Sequence, residues 1–154
     1  MTTNPTTKPE LHDALAAAGS CSEWVDLVAA YFGTAPLHYG HGTDNAADEA
    51  YWLVWHVCGM PEDLTDAATD RALLDRVAEI AARRVDERRP LAYLLGQAWF
   101  AGLPFVVTPD VLIPRSPLAE LVENGFEPWS SLAPGDRVLE IGTGSGCIAI
   151  ATAV

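Results

Sequence analysis

The stretch at residues 138–154, VLEIGTGSGCIAIATAV, is the part of the sequence that decides the fold. The segment 137–141, RVLEI, predicts a short buried strand through its apolar residues. The residues after the last glycine predict a helix. Three glycines, Gly142, Gly144 and Gly146, lie between them. Because glycine has no Cβ, the backbone there can turn tightly and approach a ligand closely. The pattern therefore predicts a βα unit with a nucleotide-type cofactor at its turn.

The glycine spacing narrows the choice of cofactor. A dinucleotide site has the pattern G-x-G-x-x-G, whereas this turn has G-x-G-x-G, with Cys147 in place of the third glycine. The acidic Glu140 precedes the turn and suits a ligand with an ammonium and a sulfonium better than one with a pyrophosphate. These residues resemble the first motif of class I methyltransferases, which use S-adenosylmethionine. A purely structural turn and a site for another nucleotide remain open alternatives.

Composition limits the partners and the compartment. The net charge is −12, with 21 acidic and nine basic side chains, and this disfavours non-specific binding to nucleic acid. The one basic run, RRVDERR at 83–89, predicts a solvated helix end or, alternatively, a contact with RNA or an acidic partner. Three cysteines without framework or zinc spacing indicate a reducing compartment and no metal site. The lack of a signal peptide and of a membrane-spanning stretch predicts a cytoplasmic protein.

Upstream of the glycine turn, apolar residues recur at helical spacing in three segments. The clearest helix begins after Ser20, because Ser20 and Glu23 have the spacing of a capping box. The longest predicted helix covers about 69–87. These segments predict a small helical bundle. Two aromatic and β-branched runs within 97–108 flank a Gly-Leu-Pro turn and predict a β-hairpin. A further helix after Ser116 is expected to bury Leu118, Leu121 and Val122, so the fold class is α+β.

Longer segments point to one family. VLIPRSPLAELV, followed about twenty residues later by VLEIGTGSGCIAIA, closely resembles the protein-glutamine N5-methyltransferases. The family's release-factor branch typically reads Pro-Arg-Pro-Glu-Thr-Glu where this chain has PRSPLAE. The branch that modifies ribosomal protein three of the large subunit reads Pro-Arg-Ser-Pro, as this chain does. YGHGTDNAADEA at 39–50 and AYLLGQAWFAGLPF at 92–105 are also similar to that second branch.

The resemblance implies a domain plan and an incomplete enzyme. It implies a helical substrate-recognition domain at 1–90, a hairpin linker at 91–115, and the start of a Rossmann-like methyltransferase domain at 116–154. Family members are about twice as long, so the chain is expected to be their truncated N-terminal half. Their Asn-Pro-Pro-Tyr motif, which grips the substrate glutamine, is absent from these 154 residues. No catalytic residue is therefore expected in this chain, which by itself is predicted to be inactive.

The resemblance also implies site residues and partners. The methionine end of S-adenosylmethionine is expected to contact Glu140, Gly142, Thr143, Gly144 and Gly146. Phe100 is a candidate for the border of the glutamine pocket, or a packing residue. Arg115 is a candidate for ordering the linker, or a structural arginine paired with a nearby acid. The implied partner is the large-subunit ribosomal protein, with no direct contact to nucleic acid. Two alternatives stay open: a non-catalytic recognition module or remnant, and a release-factor glutamine methyltransferase.

Overall fold

The computed structural model describes residues 4–65, 67, 69–130, 132–133 and 135–154. Within them the chain forms helices and a two-stranded antiparallel sheet, which confirms the predicted α+β class. The chain divides into two compact units, Met1–Leu95 and Gly96–Val154. In the described part of the chain, no helix is both long and apolar enough to span a membrane.

The first unit is helical, and side-chain caps start its four longer helices. Its helices are α1 (Lys8–Ala17), α2 (Cys21–Phe32), α3 (Ala46–Val57), α4 (Arg71–Asp86) and α5 (Leu91–Leu95). The side chains of Thr7, Ser20, Asn45 and Asp70 each accept a hydrogen bond from a backbone N–H of the first helical turn. Such caps satisfy donors that have no partner within the helix. The predicted helix after Ser20 is confirmed.

The apolar stripes of these helices form one core. Helix α2 packs mainly against α3, and α1 packs against α4. Trp24, Val28, Leu53 and Val77 are buried, as their spacing predicted. The indole Nε1 of Trp24 donates to the carbonyl of Leu15 at 2.9 Å, which ties α2 to α1.

Two thiols meet between α2 and the end of α3. The sulfurs of Cys21 and Cys58 lie 3.2 Å apart, and both cysteines are free thiols. Burial, followed by the hydrogen bond to Cys21, raises the pKa of Cys58 to about 12. Because the thiolate is the reactive form, this thiol is held in its inert state at neutral pH.

The second unit is built on the predicted hairpin, which is confirmed. Strands β1 (Gln97–Phe100) and β2 (Leu103–Val106) pair in antiparallel register, with Phe100 opposite Leu103. Two short helices follow, α6 (Leu118–Glu123) and α7 (Cys147–Ala153). Phe100, Phe105 and Cys147 form the core of this unit, and the two rings meet edge to face with centroids 6.4 Å apart.

Two elements predicted to be buried are not buried. Residues 137–141 form no strand, and Leu139 and Ile141 are 85% and 90% exposed. The cause is the lack of a pairing neighbour, since the sheet among the described residues consists of β1 and β2 alone. Helix α6 contains no buried residue, so the predicted stripe of Leu118, Leu121 and Val122 was wrong. The small Ala119 packs against the hairpin core in its place.

The basic run 83–89 is only partly solvated. Arg83 and Glu87 form an ion pair one turn apart on the surface, as expected of a helix end. Arg84, however, is buried and pairs with the buried Glu49 at 2.9 Å between Nε and Oε2. The prediction of a solvated run was therefore wrong for Arg84, because that position lies on the inner face of α4 with Val77 and Ala81.

Candidate cofactor site at the glycine turn

The turn before α7 depends on its three glycines. Gly142, Gly144 and Gly146 have φ angles of 79°, 55° and 76°, a region that side chains with a Cβ rarely adopt. The amide of Gly146 donates to the carbonyl of Thr143 at 2.8 Å, which closes the turn. Helix α7 begins at the next residue. The spacing of the glycines therefore reflects a backbone requirement at each of the three positions.

The outer side of this turn is open. A Cβ placed on Gly142 or Gly144 would meet no atom within 4 Å. A Cβ on Gly146 would lie 3.5 Å from Cδ1 of Ile150, at ordinary van der Waals distance. At Gly142 and Gly144 the backbone is thus accessible to a ligand that approaches closely.

Glu140 is tied to the helix that follows the turn. Its Oε2 accepts a hydrogen bond from the backbone N–H of Ala149 at 3.1 Å. That amide belongs to the first turn of α7, where backbone donors have no helical partner. A carboxylate can accept several hydrogen bonds, so this contact leaves capacity for a cationic ligand group.

Glu140 also lines an open pocket of about 410 Å³. The pocket lies against α7 and the segment before the glycine turn. Its lining residues are Leu132, Ala133, Gly135, Asp136, Val138, Glu140, Ala149, Thr152 and Ala153. The carboxylates of Asp136 and Glu140 give this pocket a negative charge, which suits a positively charged ligand.

The other two candidate residues occupy different environments. Phe100 is buried in the core of the second unit, where it packs with Cys147, the first residue of α7. This packing supports the glycine turn from within the core. Arg115 is exposed, and among the described residues no ion pair joins it to an acid. The local acid pair that was one interpretation of Arg115 is not observed. The described residues also contain no cluster of three or more histidine, cysteine, aspartate or glutamate side chains suited to a metal ion.

Comparison with known proteins identifies the relatives. The chain is 49% identical over 143 residues to the ribosomal protein uL3 glutamine methyltransferase of Xanthomonas campestris pv. campestris, and the match covers 88% of this chain. It is 48% identical to the enzyme of that name in Xylella fastidiosa, again over 88% of this chain. It is 46% identical over 125 residues to the one in Bordetella pertussis, over 78% of this chain.

The resemblance to the ribosomal-protein branch of the glutamine methyltransferases is confirmed. The chain spans about half the length of the curated relatives it matches, 46% for the Xanthomonas protein and 42% for the Bordetella protein. That share fits the predicted N-terminal half. No protein-family model matches the chain.

One feature of the helical unit was missed in the sequence. Glu49 and Arg84 are buried together, and Arg84 also donates from Nη2 to the carbonyl of His38 at 2.9 Å. The signal was present in the spacing. Glu49 lies one turn before Leu53 on α3, and Arg84 lies one turn after Ile80 on α4, so each occupies the buried face of its helix.

Proposed function

We propose that this chain is the N-terminal part of an S-adenosylmethionine-dependent protein-glutamine N5-methyltransferase that modifies a glutamine of ribosomal protein uL3. The observation that carries this proposal is the 49% identity to a uL3 glutamine methyltransferase over 88% of the chain. At this identity over 143 residues, fold and reaction are generally shared among relatives. The open glycine turn supports the proposal independently, since it leaves backbone accessible at two of the predicted contact residues.

The second unit is proposed to be the beginning of a Rossmann-like domain. Residues 137–141 contain three apolar residues, Val138, Leu139 and Ile141, and have no strand partner among the described residues. The central strand of a parallel sheet is covered on both faces, which would account for the apolar side chains of Val138, Leu139 and Ile141. We infer that this segment becomes a central strand when a chain of the relatives' full length provides neighbours for it.

The residues at the glycine turn fit a small cationic ligand. S-adenosylmethionine, when bound, supplies a methyl group on a positively charged sulfur. The Glu140 carboxylate would hold the ammonium of the methionine end, because an acid opposite a cation gains Coulomb energy. Gly142, Thr143, Gly144 and Gly146 would contact the ligand with their backbone, which two open Cβ positions allow. Phe100 would support the site indirectly, because it packs against Cys147 at the start of α7.

The amide nitrogen of a glutamine is a weak nucleophile, so the enzyme must orient it for attack on the methyl group. In the proposed reaction a new N–C bond forms as the S–C bond breaks, and the nitrogen then loses one proton. Hydrogen-bond acceptors that orient the amide lower the barrier, since they fix its attack geometry. The Asn-Pro-Pro-Tyr motif that would supply them is absent from these 154 residues. In this proposal, these 154 residues supply the contacts to the methionine end of the cofactor, and Phe100 is their candidate for the border of the glutamine pocket.

The helical unit is proposed to recognise the protein substrate. With a net charge of −12, the chain attracts basic proteins and repels the phosphate backbone of rRNA. We infer that it acts in the cytoplasm, on the ribosomal protein before that protein binds RNA. The names of the relatives do not favour a release factor as the target or a non-catalytic module.

The test uses the chain extended to the relatives' length with its own downstream coding sequence. This protein is incubated with uL3 or a release factor and with isotopically labelled S-adenosylmethionine. Mass spectrometry is expected to place one added methyl group on a single glutamine of uL3 and none on the release factor. The reverse pattern would contradict the proposed target, and labelling of neither protein would contradict the proposed reaction.

A further inference from the structure

In the helical unit, a buried pair of charged side chains contacts a surface loop. Side chains of Glu49 and Arg84 are 3% and 2% exposed, and their Nε–Oε2 distance is 2.9 Å. Glu49 also receives a hydrogen bond from the backbone N–H of Leu91. Burial raises the pKa of Glu49 despite its bond to Arg84. A buried ion pair of this kind contributes little net stability compared with apolar side chains of the same size.

The pair holds the start of the segment 38–45, here named the 38–45 loop. The Arg84 guanidinium donates to the carbonyl of His38 at 2.9 Å and lies 5.9 Å from the centre of the Tyr39 ring. Within the loop, the amide of Gly40 donates to the carbonyl of Thr43 at 2.7 Å. Arg84 thus fixes the start of the loop to the buried interior of the unit.

The far end of the 38–45 loop is fixed as well. Gly42 has a φ of 105°, a backbone conformation that favours glycine. Asn45 ends the loop by capping α3, with its Oδ1 accepting from the backbone N–H of Asp48 at 2.9 Å. The loop is therefore held in one conformation at both ends, although most of its residues face solvent.

The exposed chemistry beside the loop is acidic and aromatic. Asp44 and Asp48 are exposed, and neither forms an ion pair within the described part of the chain. Tyr51, one turn further along α3, is 49% exposed. The loop itself contains no lysine or arginine. Carboxylates next to an aromatic ring suit lysine and arginine side chains, through charge and through cation–π contact.

We propose that the 38–45 loop and the first turns of α3 form the surface that binds a basic segment of the protein substrate, and that the Glu49–Arg84 pair positions this surface. The inference rests on the proposed function for the identity of that substrate. A rigid loop binds with less loss of conformational entropy than a mobile one, which accounts for two charges being buried beneath it. Arg84 and Glu49 are positioning residues, since they act on the partner only through the loop.

The test measures binding of the 154-residue chain to purified uL3 by fluorescence anisotropy at low salt. Asp44→Lys is expected to weaken binding about tenfold, since a like charge then faces the basic partner. Asp13→Lys is the matched control, because Asp13 is an exposed acid on α1, which packs against α2 and α4. The control is expected to change binding by less than about twofold.

A second variant separates positioning from stability. The double substitution Glu49→Leu with Arg84→Met removes both charges and keeps the core filled, so the thermal midpoint is expected to stay close to that of the wild type. Binding to uL3 is nevertheless expected to fall at least about tenfold, since the loop loses its contacts with Arg84. Retained binding in both the double variant and Asp44→Lys would overturn the inference and leave the proposed function intact. If the wild-type chain bound rRNA and not uL3, the proposed substrate and this inference would both be wrong.

Discussion

At the scale of single residues, Arg83 and Arg84 are adjacent in the sequence and occupy opposite environments. Arg83 pairs with Glu87 one turn away, where both side chains are largely solvated. Exposed pairs of this kind contribute little, because water and salt screen them. Arg84 is buried against Glu49, and a buried charge that loses its partner is costly. The two arginines therefore provide a matched comparison of surface and interior electrostatics.

The first prediction concerns this comparison. Arg84→Met is expected to lower the free energy of unfolding by roughly 3–5 kcal/mol, because it leaves the Glu49 carboxylate buried without its cation. Arg83→Met is expected to change it by less than about 1 kcal/mol. Urea unfolding monitored by tryptophan fluorescence measures both. Equal effects of the two substitutions would show that Arg84 is solvated in solution, contrary to the structure.

At the scale of elements, residues 137–141 differ from every helix of the first unit. Their backbone forms no strand, whereas the backbone amides of α2, α3 and α4 are bonded along each helix. Unprotected amides exchange with solvent rapidly, and amides in a packed core exchange only when the structure opens. The difference is measurable within a single sample.

The second prediction is a hydrogen-exchange pattern. Amides at 137–141 are expected to exchange at nearly the rate of an unstructured peptide, while those of α3 are protected by several orders of magnitude. Mass spectrometry of peptides from both regions checks this, with α3 as the internal control. Strong protection of 137–141 in a monomer would contradict the expectation, because it would require a pairing partner that the described residues do not supply.

Elements with local signals were predictable from the sequence. The cap at Ser20 and the hairpin at 97–106 follow from short-range chemistry, and both are confirmed. The three glycines also predicted a tight turn, and the structure has a turn there in which all three have positive φ. The buried strand at 137–141 and the stripe of α6 were wrong for one physical reason. An apolar pattern specifies a face that can be buried, but burial requires a second surface, and no local sequence encodes it.

At the candidate site, the backbone of the turn was predictable. A tight turn at Gly142, Gly144 and Gly146 could be predicted because glycine adopts positive φ angles more readily than other residues. The bond from Ala149 to Glu140 could not, since it depends on how α7 folds back over the preceding segment. The environment of Phe100 was likewise open until the packing of Cys147 against it was known. Long-range contacts of this kind are set by tertiary structure.

At the scale of the whole molecule, the proposed cofactor site lies in the second unit. The glycine turn and Glu140 would contact the methionine end. The Asn-Pro-Pro-Tyr motif predicted to bind the substrate amide is not among these 154 residues, and the chain covers 46% of the Xanthomonas relative. Binding free energy is the surplus of contacts over the cost of immobilising the ligand, so a site that contacts only one end of the ligand binds it more weakly than a site that contacts all of it.

The third prediction concerns the affinity of the chain for S-adenosylmethionine. Calorimetric titration of the 154-residue chain with S-adenosylmethionine is expected to give a dissociation constant weaker than about 1 mM, which corresponds to roughly 4 kcal/mol. The chain extended to the relatives' length is expected to bind at low micromolar concentration, or roughly 8 kcal/mol. Glu140→Gln in the extended chain should weaken binding, because it removes the charge opposite the ammonium, whereas Glu123→Gln on α6 is a control with little effect. Micromolar binding by the 154-residue chain alone would show that these residues already form a complete site. The proposed division of the cofactor site between the two halves would then be wrong.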